Sequence, residues 1–289
     1  MLPRDVLDEV VGALDPIDLP EVLRVAELQT RVDRKYLVST EQVADLVSDL
    51  DGRYRALRID ERGLFGYESV YFDTPDLMTF RAHQQGRRRR FKVRTRTYAD
   101  TGDCLVEVKL KGRRGVTVKE RLVHATEARD RLDGPARAFV DEVLSDFDAA
   151  PDWRLDPVLH TRYHRATLVD PDEGARLTFD IELGFCGPDG AATGPDRVIV
   201  ESKSAGSGDA DRALARRGVR AVTLSKYCVG IALTRPGVTA NRWNRVLRRE
   251  FGWMPLDSPE CPPSSAPASQ TSELPSPVAS WSTAWPALS

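Results

Sequence analysis

Arg88-Arg-Arg-Phe-Lys-Val-Arg-Thr-Arg-Thr-Tyr98 is the stretch that decides the fold. Successive side chains of a β-strand point to opposite faces, so odd and even positions sort into two sets. One face here carries Arg88, Arg90, Lys92, Arg94, Arg96 and Tyr98; the other carries Phe91, Val93, Thr95 and Thr97. The strand is therefore expected to be fully charged on one side and packed on the other.

The same division recurs along the chain. Glu107, Lys109 and Lys111 share a face opposite Val106, Val108 and Leu110, and Thr117, Lys119 and Arg121 oppose Val116, Val118 and Leu122. Arg176, Thr178, Asp180 and Glu182 alternate with Leu177, Phe179, Ile181 and Leu183. Glu201 and Lys203 alternate with Val198, Val200 and Ser202, and Arg31, Asp33 and Lys35 form one more charged row. A single such strand reads as the solvated face of an ordinary sheet. Several strands with recurrent Arg and Lys read differently, because like charges directly opposite one another destabilise a sheet.

Closing the sheet into a barrel accounts for both faces. The apolar rows turn outward against helices, and the charged rows line a lumen. An isolated buried charge costs several kcal/mol or more, so the lumen is expected to hold water, acidic partners and a polyanion. Arg grips phosphate through a planar bidentate fork, while Lys supplies mobile point charge. The cationic excess points to a phosphate-rich ligand, and the interspersed Glu residues point to a divalent metal riding on it.

Composition sets the outer bounds. The 289 residues are 41% hydrophobic and 30% charged with a formal net charge of −2, values of a soluble globular protein and not of a general nucleic-acid binder. Residues 81–121 hold 14 Arg/Lys against 4 Asp/Glu, whereas residues 1–30 hold 2 against 7. Cys104, Cys186, Cys228 and Cys261 have no CxxC spacing and no neighbouring His, which disfavours zinc or a disulfide framework and fits a reducing cytoplasm. The acidic amino terminus lacks an apolar run, and no stretch reaches the roughly 18–20 apolar residues of a membrane span.

Period-2 alternation predicts strands at 24–38, 54–61, 67–72, 88–98, 104–111, 116–123, 158–169, 176–183 and 197–203. Helices are expected at 40–50 with Thr40 as N-cap, and at 75–83, 126–144, 209–217, 225–233 and 241–251. Lys111-Gly-Arg-Arg-Gly115 reads as a tight hairpin loop. The fold class is α+β: a closed antiparallel β-barrel, a tunnel of about eight strands, with peripheral helices. The barrel domain is set at residues 21–252, between an acidic segment (1–20) and a Pro/Ser-rich tail (253–289). Residues 255–289 hold 8 Pro and 9 Ser without a single Lys or Arg, a composition that reads as disordered.

On these residues the chain resembles the VTC (polyphosphate polymerase) domain of the triphosphate tunnel metalloenzymes, over about residues 25–233. The motifs in order are Arg31-Val-Asp-Arg-Lys-Tyr36, Val70-Tyr-Phe-Asp-Thr-Pro-Asp-Leu77, Phe91-Lys-Val-Arg-Thr-Arg-Thr-Tyr98, Val106-Glu-Val-Lys109, Lys119-Glu-Arg121, Tyr163-His-Arg-Ala166, Arg176-Leu-Thr-Phe-Asp180, Val200-Glu-Ser-Lys203 and Ser225-Lys-Tyr227. The resemblance implies transfer of the ATP γ-phosphate to a growing inorganic polyphosphate chain, with Mn²⁺ or Mg²⁺. It assigns Arg94, Arg96 and Lys226 to the transferred phosphoryl group, and phosphate binding to Lys35, Lys109, Lys119, Arg121, Arg165, Arg176 and Lys203. Glu201 matches the principal metal ligand, with Glu107 and Glu182 as helpers. Phosphoryl transfer needs alignment, metal and cationic stabilisation more than covalent help.

The hydrolytic branch of these enzymes opens with Glu-x-Glu-x-Lys, where this chain has Arg31-x-Asp33-x-Lys35. An Arg in place of the first carboxylate removes a metal ligand and adds a phosphate ligand, which favours the polymerase branch. Triphosphate or polyphosphate hydrolysis, and polyphosphate binding without turnover, stand as the alternatives. Arg87–Arg90 carries no interleaved aromatics for base stacking, so nucleic acid is not an expected partner. Eukaryotic relatives work in membrane complexes; with no span of its own, this chain would meet a membrane only through another protein.

Overall fold

The structure, a computed structural model, describes residues 2–25, 32–50, 52–111, 117–145 and 153–254. Strands β1 (Pro16–Ile17), β2 (Val32–Val38), β3 (Arg55–Leu57), β4 (Leu64–Asp73), β5 (Arg90–Tyr98), β6 (Cys104–Lys111), β7 (Thr117–His124), β8 (Asp156–Val169), β9 (Arg176–Gly187), β10 (Gly190–Thr193) and β11 (Val198–Ser204) join one sheet. Its main path runs β2-β11-β9-β8-β4-β5-β6-β7, antiparallel at every step. Around it lie helices α1 (Pro3–Gly12), α2 (Leu19–Val25), α3 (Thr40–Asp49), α4 (Met78–Gln84), α5 (Gly134–Ser145), α6 (Asp209–Arg216), α7 (Lys226–Thr234) and α8 (Asn244–Phe251).

The apolar rows anticipated from the sequence form the convex side. Phe91 and Val93 of β5 with Val106, Val108 and Leu110 of β6 bury against Ala136, Val140 and Leu144 of α5. Tyr36, Val38, Val198, Val200, Leu177 and Phe179 bury against α1, α3 and α6. On the concave side, α7 with Phe80 of α4 covers Leu37, Ile199, Leu159, Leu183 and Phe185, an apolar layer over the β2, β11, β9 and β8 side of one end of the trough. Gly230 of α7 permits that approach: a Cβ there would lie 2.5 Å from Leu159 Cδ2 and 2.7 Å from Phe185 Cδ1.

Closure differs from the expected barrel. The ladder ends at β2 and β7, which do not pair among the described residues. The sheet nevertheless curls strongly. The charges of Glu201 on β11 and Asp33 on β2 act on Lys109 of β6, far along the ladder, so the two ends of the sheet face one another. The outermost strand β7 is largely exposed, with Val123 82% accessible, and no neighbouring strand satisfies its free edge.

Several elements fall elsewhere than expected. The first residues form α1, with Leu7 and Val11 in the core, and α2 occupies the start of the strand expected at 24–38. Strand 54–61 contracts to β3, and helix 126–144 divides into a 3₁₀ turn (Thr126–Ala128) and α5. Ser39 rather than Thr40 caps α3: Ser39 Oγ accepts from Gln42 N–H (3.3 Å) and Gln42 Oε1 from Ser39 N–H (3.0 Å). Arg31, hairpin residues 112–115 and the tail from 255 lie outside the described residues. Among those described, no helix is long and apolar enough to cross a membrane.

The packing at α7 yields a direct test. Replacing Gly230 by Val gains some helix propensity but forces branched carbons into Leu159 and Phe185, and overpacking typically costs about 1–3 kcal/mol. Chemical denaturation of Gly230→Val is expected to show a loss of that size; wild-type stability would contradict the described seat of α7.

Candidate active site

The concave face gathers Lys35 (β2), Lys203 (β11), Arg176 (β9), Arg165 (β8), Lys92, Arg94 and Arg96 (β5), Lys109 (β6), Lys119 and Arg121 (β7) and Lys226 at the start of α7. Facing these eleven cations are four carboxylates: Asp33, Glu107, Asp180 and Glu201. Register explains the distribution. Arg94, Glu107 and Arg121 stand side by side across β5, β6 and β7, and Lys92, Lys109 and Lys119 form the next row.

Glu107 is the hub of the first row. Arg94 Nε donates to Glu107 Oε2 at 2.7 Å and Arg94 Nη2 lies 2.5 Å from the same oxygen. Lys119 Nζ pairs with Oε1, while Arg121 Nε approaches to 3.5 Å and Arg96 Nε to 4.0 Å. Burial disfavours the Glu107 carboxylate, but Arg94, Arg96 and Lys119 outweigh it and hold its pKa far below the usual range. The same burial, with Arg94 and Arg96 adding to it against the pull of Glu107, lowers the Lys119 ammonium to about 7.

Asp180, fully buried, anchors the second group. Arg165 donates to it through Nε (2.5 Å) and Nη2 (2.8 Å), and Lys226 Nζ donates to the same carboxylate. Burial opposes ionisation here too; Arg165 and Lys226 prevail and hold Asp180 down at about 2. Tyrosines space the cations. Arg165 lies over the rings of Tyr67 (5.4 Å) and Tyr163 (5.2 Å), Lys226 over Tyr163 (4.4 Å) and Arg96 over Tyr67 (5.4 Å). Arg96 Nη2 also donates to Tyr163 Oη (2.9 Å), and Arg94 Nη1 to Tyr71 Oη (3.0 Å).

Glu201 is held more loosely. Its Oε1 lies 3.2 Å from Lys203 Nζ and 3.7 Å from Lys35 Nζ. Despite the cost of burial, Lys203, Lys35, Arg165 and Lys226 keep its carboxyl well below the usual range. Burial, reinforced by Arg176 and Arg165 and opposed by Glu201, lowers Lys203 to about 7.

Twelve of the thirteen candidate residues therefore line one face, and Glu182 does not. On β9 the register slips: Arg162 pairs with Gly184 but His164 with Ile181, so Glu182 and Leu183 together oppose Tyr163. This β-bulge puts Glu182 at φ 55° and turns its side chain outward. There it accepts from Arg4 Nε (2.9 Å) and Nη2 (2.6 Å), and His164 Nδ1 lies 2.7 Å away. Beyond the bulge the parity is inverted, which is why Leu183 and Phe185 face α7. Asp180 is the site residue given no role in advance; its place in the row Arg176, Thr178, Asp180 was the available signal. Tyr67, Tyr71 and Tyr163 had no signal beyond their strands.

Among the described residues no group of three or more His, Cys, Asp or Glu comes together to hold a metal. Both oxygens of Glu107 and of Asp180 are taken up by cations. Glu201 meets Lys203 and Lys35 at 3.2 and 3.7 Å, more loosely than Glu107 and Asp180 meet their partners, and is the carboxylate best placed to turn to a cation. That donor set fits a hard divalent cation bound by one carboxylate plus phosphate oxygens of a substrate, and not an all-protein cage.

The family model of the VTC domain matches residues 30–235. No curated protein matches the chain. Among solved structures, a candidate adenylate cyclase from Bacillus halodurans is 18% identical, covering 68% of this chain and 94% of its own, with a TM-score of 0.44. A candidate adenylyl cyclase from Hippeastrum, described as having a dominant triphosphatase activity, is 13% identical over 72% of this chain and 98% of its own, also at 0.44. A candidate adenylate cyclase from Vibrio parahaemolyticus is 14% identical over 68% and 95%, at 0.39.

Two measurements test the electrostatics. Glu107→Gln strands Arg94 and Lys119 without their counter-charge. Breaking a buried pair costs about 3–5 kcal/mol, and water access to the trough places the expected loss near the lower end. The melting temperature should fall without ligand and recover with tripolyphosphate by more than the wild type gains; an unshifted ligand-free melt would count against the hub. The second test concerns pH. Lys119 and Lys203, near 7 in the free protein, are half neutral at neutral pH, and a bound polyanion raises them. Anion affinity should therefore weaken as pH rises above about 7, with net proton uptake on binding. Calorimetry at pH 8 in buffers of different ionisation enthalpy checks this, and proton release would contradict it.

Proposed function

Because this chain belongs to the VTC domain family, whose model spans residues 30–235, we propose that it is an ATP-dependent polyphosphate polymerase, transferring the γ-phosphate of ATP to a growing polyphosphate chain. The supporting observation is the surplus of eleven cations over four carboxylates on one concave face, with Glu107 and Asp180 each paired with two or more cations. Only a polyanion of closely spaced charges satisfies such a surface along its length. In this reading the lips at β2 and β7 enclose the chain as a tunnel.

Arg94 and Arg96, steadied by Glu107, Tyr71 and Tyr163, stabilise charge on the transferred group. Lys226 acts beside them, oriented by Asp180 and by the start of α7. Lys35, Lys109, Lys119, Arg121, Arg165, Arg176 and Lys203 bind the flanking phosphates. Glu201 would hold Mn²⁺ or Mg²⁺, whose positive charge would offset the negative charge of the phosphates. Positioning and electrostatics carry most of the acceleration in such reactions. Three buried cysteines without disulfides suit a reducing cytoplasm.

Incubation of purified protein with ATP and Mn²⁺ is expected to give long-chain polyphosphate. Free phosphate alone would indicate the hydrolase reading, and tight polyphosphate binding with no ATP consumption in any divalent metal would indicate a binding module. Glu201→Gln should lower turnover by orders of magnitude while metal-free polyphosphate binding persists. Arg94→Ala should weaken both, since charge-assisted hydrogen bonds are worth about 1.5–3 kcal/mol each.

A further inference from the structure

The row of cations on β5 does not stop at the catalytic group. Lys92 and Arg90 continue it beyond Arg94 towards α4, at a spacing of roughly 6–7 Å per pair of residues. What holds these two differs in kind from what holds Arg94 and Arg165. Arg90 Nε donates to His83 Nδ1 (3.1 Å) and Arg90 Nη1 to the Arg87 carbonyl (2.5 Å); Lys92 Nζ donates to Ser225 Oγ (2.8 Å). His83 Nε2 lies 3.2 Å from the Phe91 carbonyl, the geometry of a neutral imidazole that donates there and accepts from Arg90. Burial, then Lys92 and Arg90, push the His83 pKa down to about 2, in keeping with that neutral state.

A third cation is delivered from a distant part of the chain. Arg242, in the 3₁₀ turn before α8, packs against Gly86; a Cβ at that position would lie 2.7 Å from Arg242 Nη1. Its charge acts on both Arg90 and His83. Directly across β6, Lys111 stands opposite Arg90 and Lys109 opposite Lys92. Among the described residues no carboxylate lies within ion-pair distance of Arg90, Lys92 or Arg242. Arg90 and Lys92 are thus held by neutral acceptors, which orient them without quenching their charge.

We propose that Arg90, Arg242 and Lys111 form a second oxyanion-binding site, continuous with the trough through Lys92, that takes the distal phosphates of a linear polyphosphate chain. It rests on the polyphosphate reading above and adds to it a cause for chain-length selectivity. A triphosphate seated at Arg94 and Arg96 is too short to reach Arg90, whereas a long chain occupies both sites at once. Linking two binding events on one ligand raises overall affinity without altering the first site.

Calorimetric titration of the full chain with tripolyphosphate and with long-chain polyphosphate tests the proposal, using wild type and Arg90→Gln/Arg242→Gln. The double variant is expected to keep wild-type tripolyphosphate affinity while its preference for the long chain falls at least tenfold. A charge-preserving Arg90→Lys/Arg242→Lys protein, with the same melting temperature, should retain most of that preference. An unchanged preference in the Gln variant overturns the second site, and so does a single-stranded oligonucleotide that binds wild type as tightly as long polyphosphate and is lost in the Gln variant. Wild type that binds neither phosphate ligand would instead overturn the function proposed above. Wild type that binds tripolyphosphate with no added affinity for the long chain removes the second site alone.

Discussion

Lys92, Lys109 and Lys119 stand directly opposite one another on three adjacent strands, with side-chain roots roughly 5 Å apart. Repulsion in such a row works against the sheet that creates it. The neighbouring row, Arg94–Glu107–Arg121, supplies relief close at hand, and Glu107 provides it to both rows by pairing with Arg94 and Lys119 together, while Glu201 and Asp33 act on Lys109 from across the trough. The remainder of the architecture accommodates this arrangement: a concave face that keeps water within reach, tyrosine rings between guanidinium groups, and helices confined to the convex face and one end. The proposed affinity for a polyanion and the repulsion within the sheet have one origin.

That coupling bears on stability. Buried charge pairs often contribute less to stability than well-packed apolar residues of similar volume, so the cations are not what makes the sheet sturdy. Their retention argues for a role outside the folded state's own energetics. The sulfur and hydroxyl groups nearby are inert in comparison: Cys228 is buried and its thiol is pushed up by that burial, and Tyr227 is committed to Asp73. Asp73 also accepts from the backbone N–H groups of Thr79 and Phe80, so it ties α4 to α7 and fixes the start of α7, where Lys226 is carried.

Parity alone made most of this legible, because a strand with Arg, Lys or Glu at every second position has only one way to satisfy both faces. Lys35, Arg94, Lys109, Lys119, Arg176 and Lys203 all follow it. Its failure at Glu182 has a local cause, the extra residue that resets the phase of β9. Pattern counting assumes a constant period and carries no warning of such a slip. The amino-terminal helix escaped notice for another reason. In α1, Val6, Leu7 and Val11 are the buried positions, a short apolar stripe in a segment whose composition is dominated by acid. Long-range contacts, among them Arg242 on Gly86 and Arg4 on Glu182, have no sequence-local signal at all.

Arg4 and Glu182 are 178 positions apart, and β2 finds its partner only in β11, with Lys35 opposite Glu201. During synthesis β2 is therefore made well before the strand it pairs with, whereas α1 has α3 to pack against soon after it forms. Chains built on such remote pairings fold slowly, because loop closure precedes the contacts that reward it. Until β11 is made, β2 lacks its partner strand, and an unpaired strand edge favours aggregation.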